Sequence, residues 1–161
     1  VLKTAEKALG GLSDMRMVEG QTLKNAILAF TNSIRENAEH IKTRQPNVLT
    51  EHQDKLKERI KILSDGLELD DTRLIQETAL LADRSDISEE LTRLDSHLQQ
   101  FQDLAISTIG TIGRKLEFIV QEINRETNTI GSKSSDFGIS QSVIEIKSIL
   151  EKIREQLQNI E

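Results

Sequence analysis

Residues 86–105 read DISEELTRLDSHLQQFQDLA and carry the clearest helical signal in the chain. Apolar residues recur there at alternating intervals of four and three, which is the spacing of the buried seam of a helix packed against other helices. Asp86 and Glu89 have the form of a capping box, in which Asp86 accepts bonds from first-turn amides and Glu89 reaches back. The pattern predicts a helix that starts near Asp86 and buries Ile87, Leu91, Leu94, Leu98, Phe101 and Ala105.

A second seam precedes this helix and is interrupted by Pro46. Proline allows either a hairpin at residues 45–47 or one long helix kinked there. The phase of the seam nearly survives across Pro46, which favours the long helix. We expect the segment before it, Leu2 to Leu12, to end at Gly10-Gly11. The seam comprises Leu23, Ile27, Phe30, Ile34 and Ile41, followed by Val48, Leu56, Ile60, Leu63 and Leu67.

Three further helices are predicted downstream. One begins at Asp70-Asp71, the next follows a break at Gly110 and Gly113, and the last starts at about Ile139 after a polar loop over residues 131–138. The sequence therefore predicts an all-α fold, with a helical arm over residues 1–66 and a C-terminal domain of about four helices over residues 67–161. The apolar face of the second of these helices carries Ile112, Leu116, Ile119, Ile123 and Ile130, and that of the last carries Val143, Ile146, Ile149, Leu150, Ile153, Leu157 and Ile160.

The composition excludes several classes of protein. Of 161 residues, 30% are charged, four phenylalanines are the only aromatic residues, and one proline leaves little material for the turns of an all-β fold. The absence of cysteine excludes a disulfide framework, a thiolate zinc site and a cysteine nucleophile. No apolar run is long enough to span a membrane. Residues 64–95 hold ten acidic and three basic residues, a net charge of −7, and the rest of the chain sums to +1. The absence of cysteine fits a cytoplasmic protein, and the start without methionine suggests a fragment of a longer chain.

Two polar regions could support chemistry. Asp86, Glu90, Arg93 and His97 share one stripe of the helix described first, which suits a general base beside a phosphate clamp. Glu90 and His97 lie roughly 10 Å apart along the axis, so they cannot by themselves ligate one ion. The competing interpretation is that these residues form ordinary solvated ion pairs.

The second region lies at residues 121–129, where Glu122 and Glu126 are four positions apart. Their Cβ atoms would be about 6 Å apart, close enough to share a divalent ion if His97 supplied another ligand. Arg114 at a helix start and Lys133 in the predicted polar loop could hold phosphates. The chain has no P-loop, no Gly-x-Ser-x-Gly elbow and no His-Glu-x-x-His motif.

The sequences of these segments resemble those of the YicC/YloC family of bacteria. The similarity is carried by LLADRSDISEEL at 80–91, GRKLEF at 113–118, QEINRETNTI at 121–130 and SKS at 132–134, and it is dense from Glu77 to Glu161. The resemblance implies a cytoplasmic endoribonuclease that depends on a divalent metal, Mn²⁺ or alternatively Mg²⁺. It also implies a ring-like homo-oligomer, a hexamer, that closes around RNA, with the family's N-terminal domain missing here and other RNA-decay proteins as partners.

The residues that match the family's motifs are Asp86, Glu90, Arg93, His97, Arg114, Gln121, Glu122, Asn124, Arg125, Glu126, Asn128 and Lys133. Together with the spacing arguments they give the following expectations. His97, Glu122 and Glu126 would be metal ligands, and the same three with Glu90 would be catalytic. RNA phosphates would be bound by Arg93, Arg114, Arg125, Asn128 and Lys133. The rival hypothesis is a non-catalytic helical scaffold that oligomerises or holds another ribonuclease on its RNA.

Overall fold

The computed structural model describes residues 2–63, 71–106 and 113–158, with the backbone alone for residues 2–8, 13, 16, 63 and 71–74. Within these ranges every element is helical, and only the links at residues 85–87 and 134–136 lie outside helices. The predicted all-α fold is therefore confirmed. The helices are α1 (Leu2–Leu63), α2 (Asp71–Arg84), α3 (Ser88–Ile106), α4 (Gly113–Lys133) and α5 (Phe137–Gln158). None of them combines the length and the apolar character needed to cross a membrane.

Helix α1 continues through Pro46 over 62 residues, a length of about 90 Å. The hairpin alternative is therefore wrong. Because proline has no N–H, the carbonyl of Lys42 loses its helical partner, but Pro46 is exposed and water can reach this turn. The expected end at Gly10-Gly11 is also wrong, since glycine weakens a helix by roughly 1 kcal/mol per residue without terminating it.

The middle of α1 packs with α3, α4 and α5 as a four-helix bundle. Contacts of Arg35 with Asp95 and of Gln45 with Ser85 show that α1 and α3 run antiparallel. Contacts of Arg44 with Asp136 and of His40 with Ser142 show the same for α1 and α5. Helices α3 and α5 each contact α4 as well, so α1 and α4 lie diagonally across the bundle, and α2 lies against α1.

The core is built from the apolar seams that the sequence predicts. From α1 it takes Ile27, Ile34 and Ile41, all at most 3% exposed. Leu23 and Phe30 pack against it while remaining partly exposed. Predicted seam residues Leu67, Ile112 and Ile160 lie outside the described ranges. The other helices bury Ile87, Leu94, Leu98, Phe101, Leu116, Val120, Ile123, Ile130, Ile139, Val143, Ile146, Ile149, Leu150, Ile153 and Leu157.

The predicted start of α3 is half confirmed. Asp86 Oδ1 accepts bonds from the Ser88 amide at 2.9 Å and from the Ser88 hydroxyl at 2.6 Å. Glu89, however, is paired with Arg93 one turn further along α3. Asp86 therefore acts as the cap, as expected for an acidic residue before a helix.

The polar loop predicted at residues 131–138 shrinks to residues 134–136, because α4 continues to Lys133 and α5 begins at Phe137. A Cβ atom at Gly131 would lie 3.1 Å from Val143 Cγ1, so this glycine allows α4 and α5 to approach closely. It serves helix packing and does not form a turn.

Two arginines of α1 form hydrogen bonds with other parts of the bundle. Arg35 donates to Asp95, Gln99 and Gln102 of α3 at 2.8–3.3 Å. Arg44 donates to Glu51 on its own helix and to Asp136, the residue before α5. We call these two sets the α1 junctions. They place α3 and α5 against the middle of the long helix.

Candidate functional site between α3 and α4

Two polar stripes face each other where α3 and α4 pack antiparallel. The α3 stripe is the one that the sequence indicates, and the α4 stripe repeats at intervals of four, three and four. We call the two together the α3–α4 seam. Its members are Asp86, Glu90, Arg93 and His97 on α3, and Glu122, Glu126, Thr129 and Lys133 on α4.

Lys133 closes one end of the seam. Its Nζ donates to Glu90 Oε1 at 2.7 Å and to the Asp86 carbonyl at 2.9 Å. The hydrogen bond to Glu90 raises the pKa of Lys133, and the hydrogen bonds from Ser88 lower the pKa of Asp86. The ammonium group of Lys133 therefore bonds to two seam residues. These two bonds account for its position without a bound phosphate.

Glu90 is a buried carboxylate with one unsatisfied oxygen. The residue is only 8% exposed. Lys133 serves its Oε1, while its Oε2 is buried without a hydrogen-bond partner among the residues that the structure describes. A buried carboxylate oxygen without a partner is costly, and such groups in folded proteins call for an explanation.

Arg93 lies at the centre of the seam, between Glu89 and Glu126. It pairs with Glu89 on its own helix, whereas its Nη1 is 3.8 Å from Glu126 Oε1 on α4. That distance exceeds a hydrogen bond, so the Arg93–Glu126 contact is a loose ion pair. Glu126 is 6% exposed and Arg93 is largely exposed, which leaves the guanidinium able to reach an anion from solvent.

The register of the seam also positions the predicted metal ligands. Counting along α3 and α4 from the pairs Glu90–Lys133 and Arg93–Glu126 places His97 at the level of Glu122. Glu122 is half-buried and lies 3.9 Å from Arg125 Nη1. Over the described ranges, no three His, Asp or Glu side chains come close enough together to hold a metal ion.

The remaining predicted RNA-binding residues lie on a different surface of α4, which we call the outward face. Arg114, Gln121, Arg125 and Asn128 are separated by seven, four and three residues, so they form one line along the helix. All four are exposed. Asn124 is half-buried on another side of α4.

The outward face could have been identified from the sequence. The start of α4 at Gly113 was predicted correctly, and a helical projection from there aligns these residues. Two features of the site were missed. One is Glu89 as the close partner of Arg93. The other is the exposed Phe118, which lies on the outward face between Arg114 and Gln121.

The helices define an all-α bundle protein whose charged residues converge on α3 and α4. Residues 41–161 match the family model described as "Endoribonuclease YicC-like, C-terminal". The chain belongs to this YicC-like family, as the resemblance indicated.

Two named relatives support the assignment. A "Probable endoribonuclease YicC" of Clostridioides difficile (strain 630) is 45% identical over 160 residues, covering 99% of this chain and 54% of that relative. The protein of the same description from Haemophilus influenzae (strain ATCC 51907 / DSM 11121 / KW20 / Rd) is 39% identical over 147 residues, covering 91% and 50%. The chain thus spans about half the length of these relatives.

Proposed function

We propose that this chain is the C-terminal helical part of an endoribonuclease, and that its α3–α4 seam and outward face contact the RNA. The observation that carries the proposal is the family match over residues 41–161, because that range includes both surfaces. The relatives named as probable endoribonucleases support the same activity.

The residues of the seam and the outward face suggest which role each would have in RNA cleavage. Arg93 and Arg125 are exposed cations that can offset phosphate charge as it develops during cleavage. Glu126 lies beneath Arg93 as its buried countercharge on α4. His97, on the same stripe as Arg93, would exchange a proton with the ribose 2′-hydroxyl as the general base. Use of that hydroxyl would restrict cleavage to RNA.

Dependence on Mn²⁺ or Mg²⁺ belongs to the proposal through the family resemblance alone. The described part of one chain does not fit a complete metal site, because it lacks a three-ligand group and because Glu122 and Glu126 each face an arginine. The buried Glu90 Oε2 is one oxygen that could serve a cation. The steps above therefore use protein groups only. A ring-like oligomer, a hexamer, and a cytoplasmic location are part of the same proposal.

The test is cleavage of an end-labelled RNA by the complete protein, with DNA of the same sequence as the control. We expect internal cuts in the RNA, intact DNA, and loss of cutting after chelation that Mn²⁺ restores. Cutting that survives chelation would remove the metal dependence while keeping the nuclease. An RNA that stays intact in Mn²⁺ and in Mg²⁺ would remove the nuclease itself.

The scaffold hypothesis is favoured by one specific observation. Gln156, near the end of α5, lines the same groove as Ala26, so the earlier residues of α1 extend past the end of α5. Met15 and Val18 line this groove of about 980 Å³, and both are more than 65% exposed. Such a surface suits self-association or a protein partner. RNA binding without cleavage by the complete protein would favour this second function.

A further inference from the structure

We propose that Phe118 is a stacking platform for a base of single-stranded RNA, held between phosphates that Arg114 and Arg125 bind. The inference deepens the proposed function and rests on it. Phe118 is 61% exposed on the outward face of α4, although an aromatic ring is ordinarily drawn into the core. Of the other phenylalanines, Phe101 is fully buried, Phe30 packs against the core, and Phe137 at the start of α5 is 83% exposed without flanking arginines on its own helix.

The position of the ring suits a base between two backbone contacts. Arg114, Phe118, Gln121 and Arg125 follow one another at intervals of four, three and four residues, so they lie on one line of α4. Along the axis the ring is about 6 Å from Arg114 and about 10 Å from Arg125. Gln121, one turn after the ring, can form hydrogen bonds with the edge of a base.

Both arginines are available to an anion. Arg114 forms no ion pair with any residue in the described part of the chain, and the Arg125–Glu122 contact is long at 3.9 Å. Arg125 is 76% exposed on its side chain. Two exposed cations on either side of an exposed ring are the elements from which sequence-tolerant single-strand sites are built, since cations follow the backbone and rings stack on bases.

The surroundings of the ring favour RNA over a second copy of the chain. A protein interface would be expected to extend the ring into a contiguous apolar patch. The neighbours of Phe118 along the outward face are Arg114, Gln121, Arg125 and Asn128, which are all polar. The charge of this line therefore complements a phosphate backbone.

The chain contains no tryptophan and no tyrosine, so a single introduced tryptophan would report its own surroundings. We would titrate the Phe118→Trp variant with a single-stranded oligoribonucleotide and follow its fluorescence. Phe137→Trp is the matched control, because Phe137 is 83% exposed but begins α5 away from the outward face. We expect the RNA to quench the tryptophan at 118 and leave the one at 137 unchanged.

The affinity of Phe118→Leu separates stacking from charge. This variant keeps an apolar side chain but removes the aromatic face, so we expect RNA binding about 5- to 100-fold weaker at every salt concentration. Arg125→Gln should instead weaken binding and also reduce its salt dependence, because fewer counterions are released. A merely structural role of Phe118 would not produce these two different salt profiles.

The outcomes distinguish this inference from the function on which it rests. If Phe118→Leu binds RNA as tightly as the wild type while Arg125→Gln does not, the stacking inference falls and the RNA-contact proposal stands. A loss of self-association in light scattering with unchanged RNA affinity would assign Phe118 to a second copy and also overturn the inference. A wild-type chain and complete protein that both fail to bind RNA would overturn both.

Discussion

Arg44 at an α1 junction and Arg93 in the α3–α4 seam each lie between two carboxylates, but their contacts differ in quality. Arg44 donates two bonds to Glu51 and two to Asp136, all at 2.8–3.3 Å. Arg93 pairs closely with Glu89 on its own helix, while its contact across the seam to Glu126 is 3.8 Å. Its guanidinium is also more exposed than that of Arg44.

The same difference extends to the carboxylates. Asp136 has both oxygens engaged by Arg44, and its Oδ1 also caps α5 through the Ile139 amide at 3.0 Å. Glu90 in the seam leaves Oε2 buried without a partner in the described ranges. Folded proteins satisfy nearly all buried polar groups, and exceptions concentrate where function requires them. We therefore expect the α1 junctions to contribute to stability, and the proposed function to depend on the α3–α4 seam.

The largest expected effect is on activity, at the buried carboxylate beneath Arg93. Glu126→Gln keeps the shape of the side chain and removes its charge, so Arg93 loses its counterion in the seam. We expect RNA cleavage by the complete protein to fall about 100-fold, the scale of losing the charge stabilisation that Arg93 would give to the transition state. Single-turnover cleavage measures this loss, and the helical circular dichroism spectrum should be retained.

Glu151→Gln is the matched control, because Glu151 pairs with Arg154 on exposed α5 surface, far from the seam in sequence. Its cleavage rate should equal that of the wild type. Cleavage at the wild-type rate by both Glu126→Gln and Glu122→Gln would contradict the assignment of function to the seam.

The next effect is on stability, at the α1 junction. Asp136→Ala removes the cap of α5 and the charged partner of Arg44, so the free energy of unfolding should fall by about 2–3 kcal/mol. Urea denaturation measures it. Asp136→Asn is the control, since an amide oxygen can still cap the helix and should recover part of the loss. A decrease below about 0.5 kcal/mol would show that this junction does not hold α5.

A smaller effect is expected at the unsatisfied oxygen of the seam. Glu90→Gln keeps an acceptor for Lys133 and removes the buried charge, so stability should change by less than about 1 kcal/mol. Cleavage should still fall about tenfold, because the substitution removes the one buried carboxylate oxygen of the seam that has no partner in the described ranges and that we propose could serve a cation. Urea midpoints and cleavage rates are compared on the same samples. Unchanged cleavage with higher stability would make Glu90 a structural residue only.

The smallest effect is a change in acid sensitivity. The hydrogen bond from Arg44 holds the pKa of Asp136 below its ordinary value of 3.8. A lowered native pKa stabilises the fold above the unfolded pKa, and this stabilisation is lost as the pH falls through the native pKa. We expect the urea midpoint of the wild type to drop more steeply below about pH 4 than that of Asp136→Asn. Parallel curves would contradict the stabilising role of the ionised Asp136.

Much of the fold could be predicted, because helical periodicity is a local property. The seam from Ile87 to Phe101 is buried as its spacing indicates, and Asp86 begins α3 as a cap. The expected helix end at Gly10-Gly11 was wrong for a local reason as well, whereas the continuation across Pro46 that the phase of the seam favoured is confirmed. Gly10-Gly11 and Pro46 weaken α1 without terminating it, since single weak positions are outweighed by the helix on either side.

The site was less predictable, because its contacts join residues far apart in the chain. Periodicity placed Glu90, Arg93 and His97 on one stripe, but it could not reveal that Lys133 of α4 would donate a hydrogen bond to Glu90. Nor could it separate Arg114 and Arg125, on the outward face, from Arg93 in the seam. These distinctions depend on how far α3 and α4 are displaced along each other, which no single helix encodes.

The amino-acid sequence by itself determined the helices, their apolar faces and the membership of the YicC-like family, because each follows from residues close together in the chain. Only the tertiary structure decided which charged groups are satisfied. Arg44 meets Asp136 across 92 positions and Lys133 meets Glu90 across 43, and each pairing is set by the register in which the buried helix faces fit together. Burial of the apolar faces sets that register. The polar groups then pair with the partners that the register brings within reach.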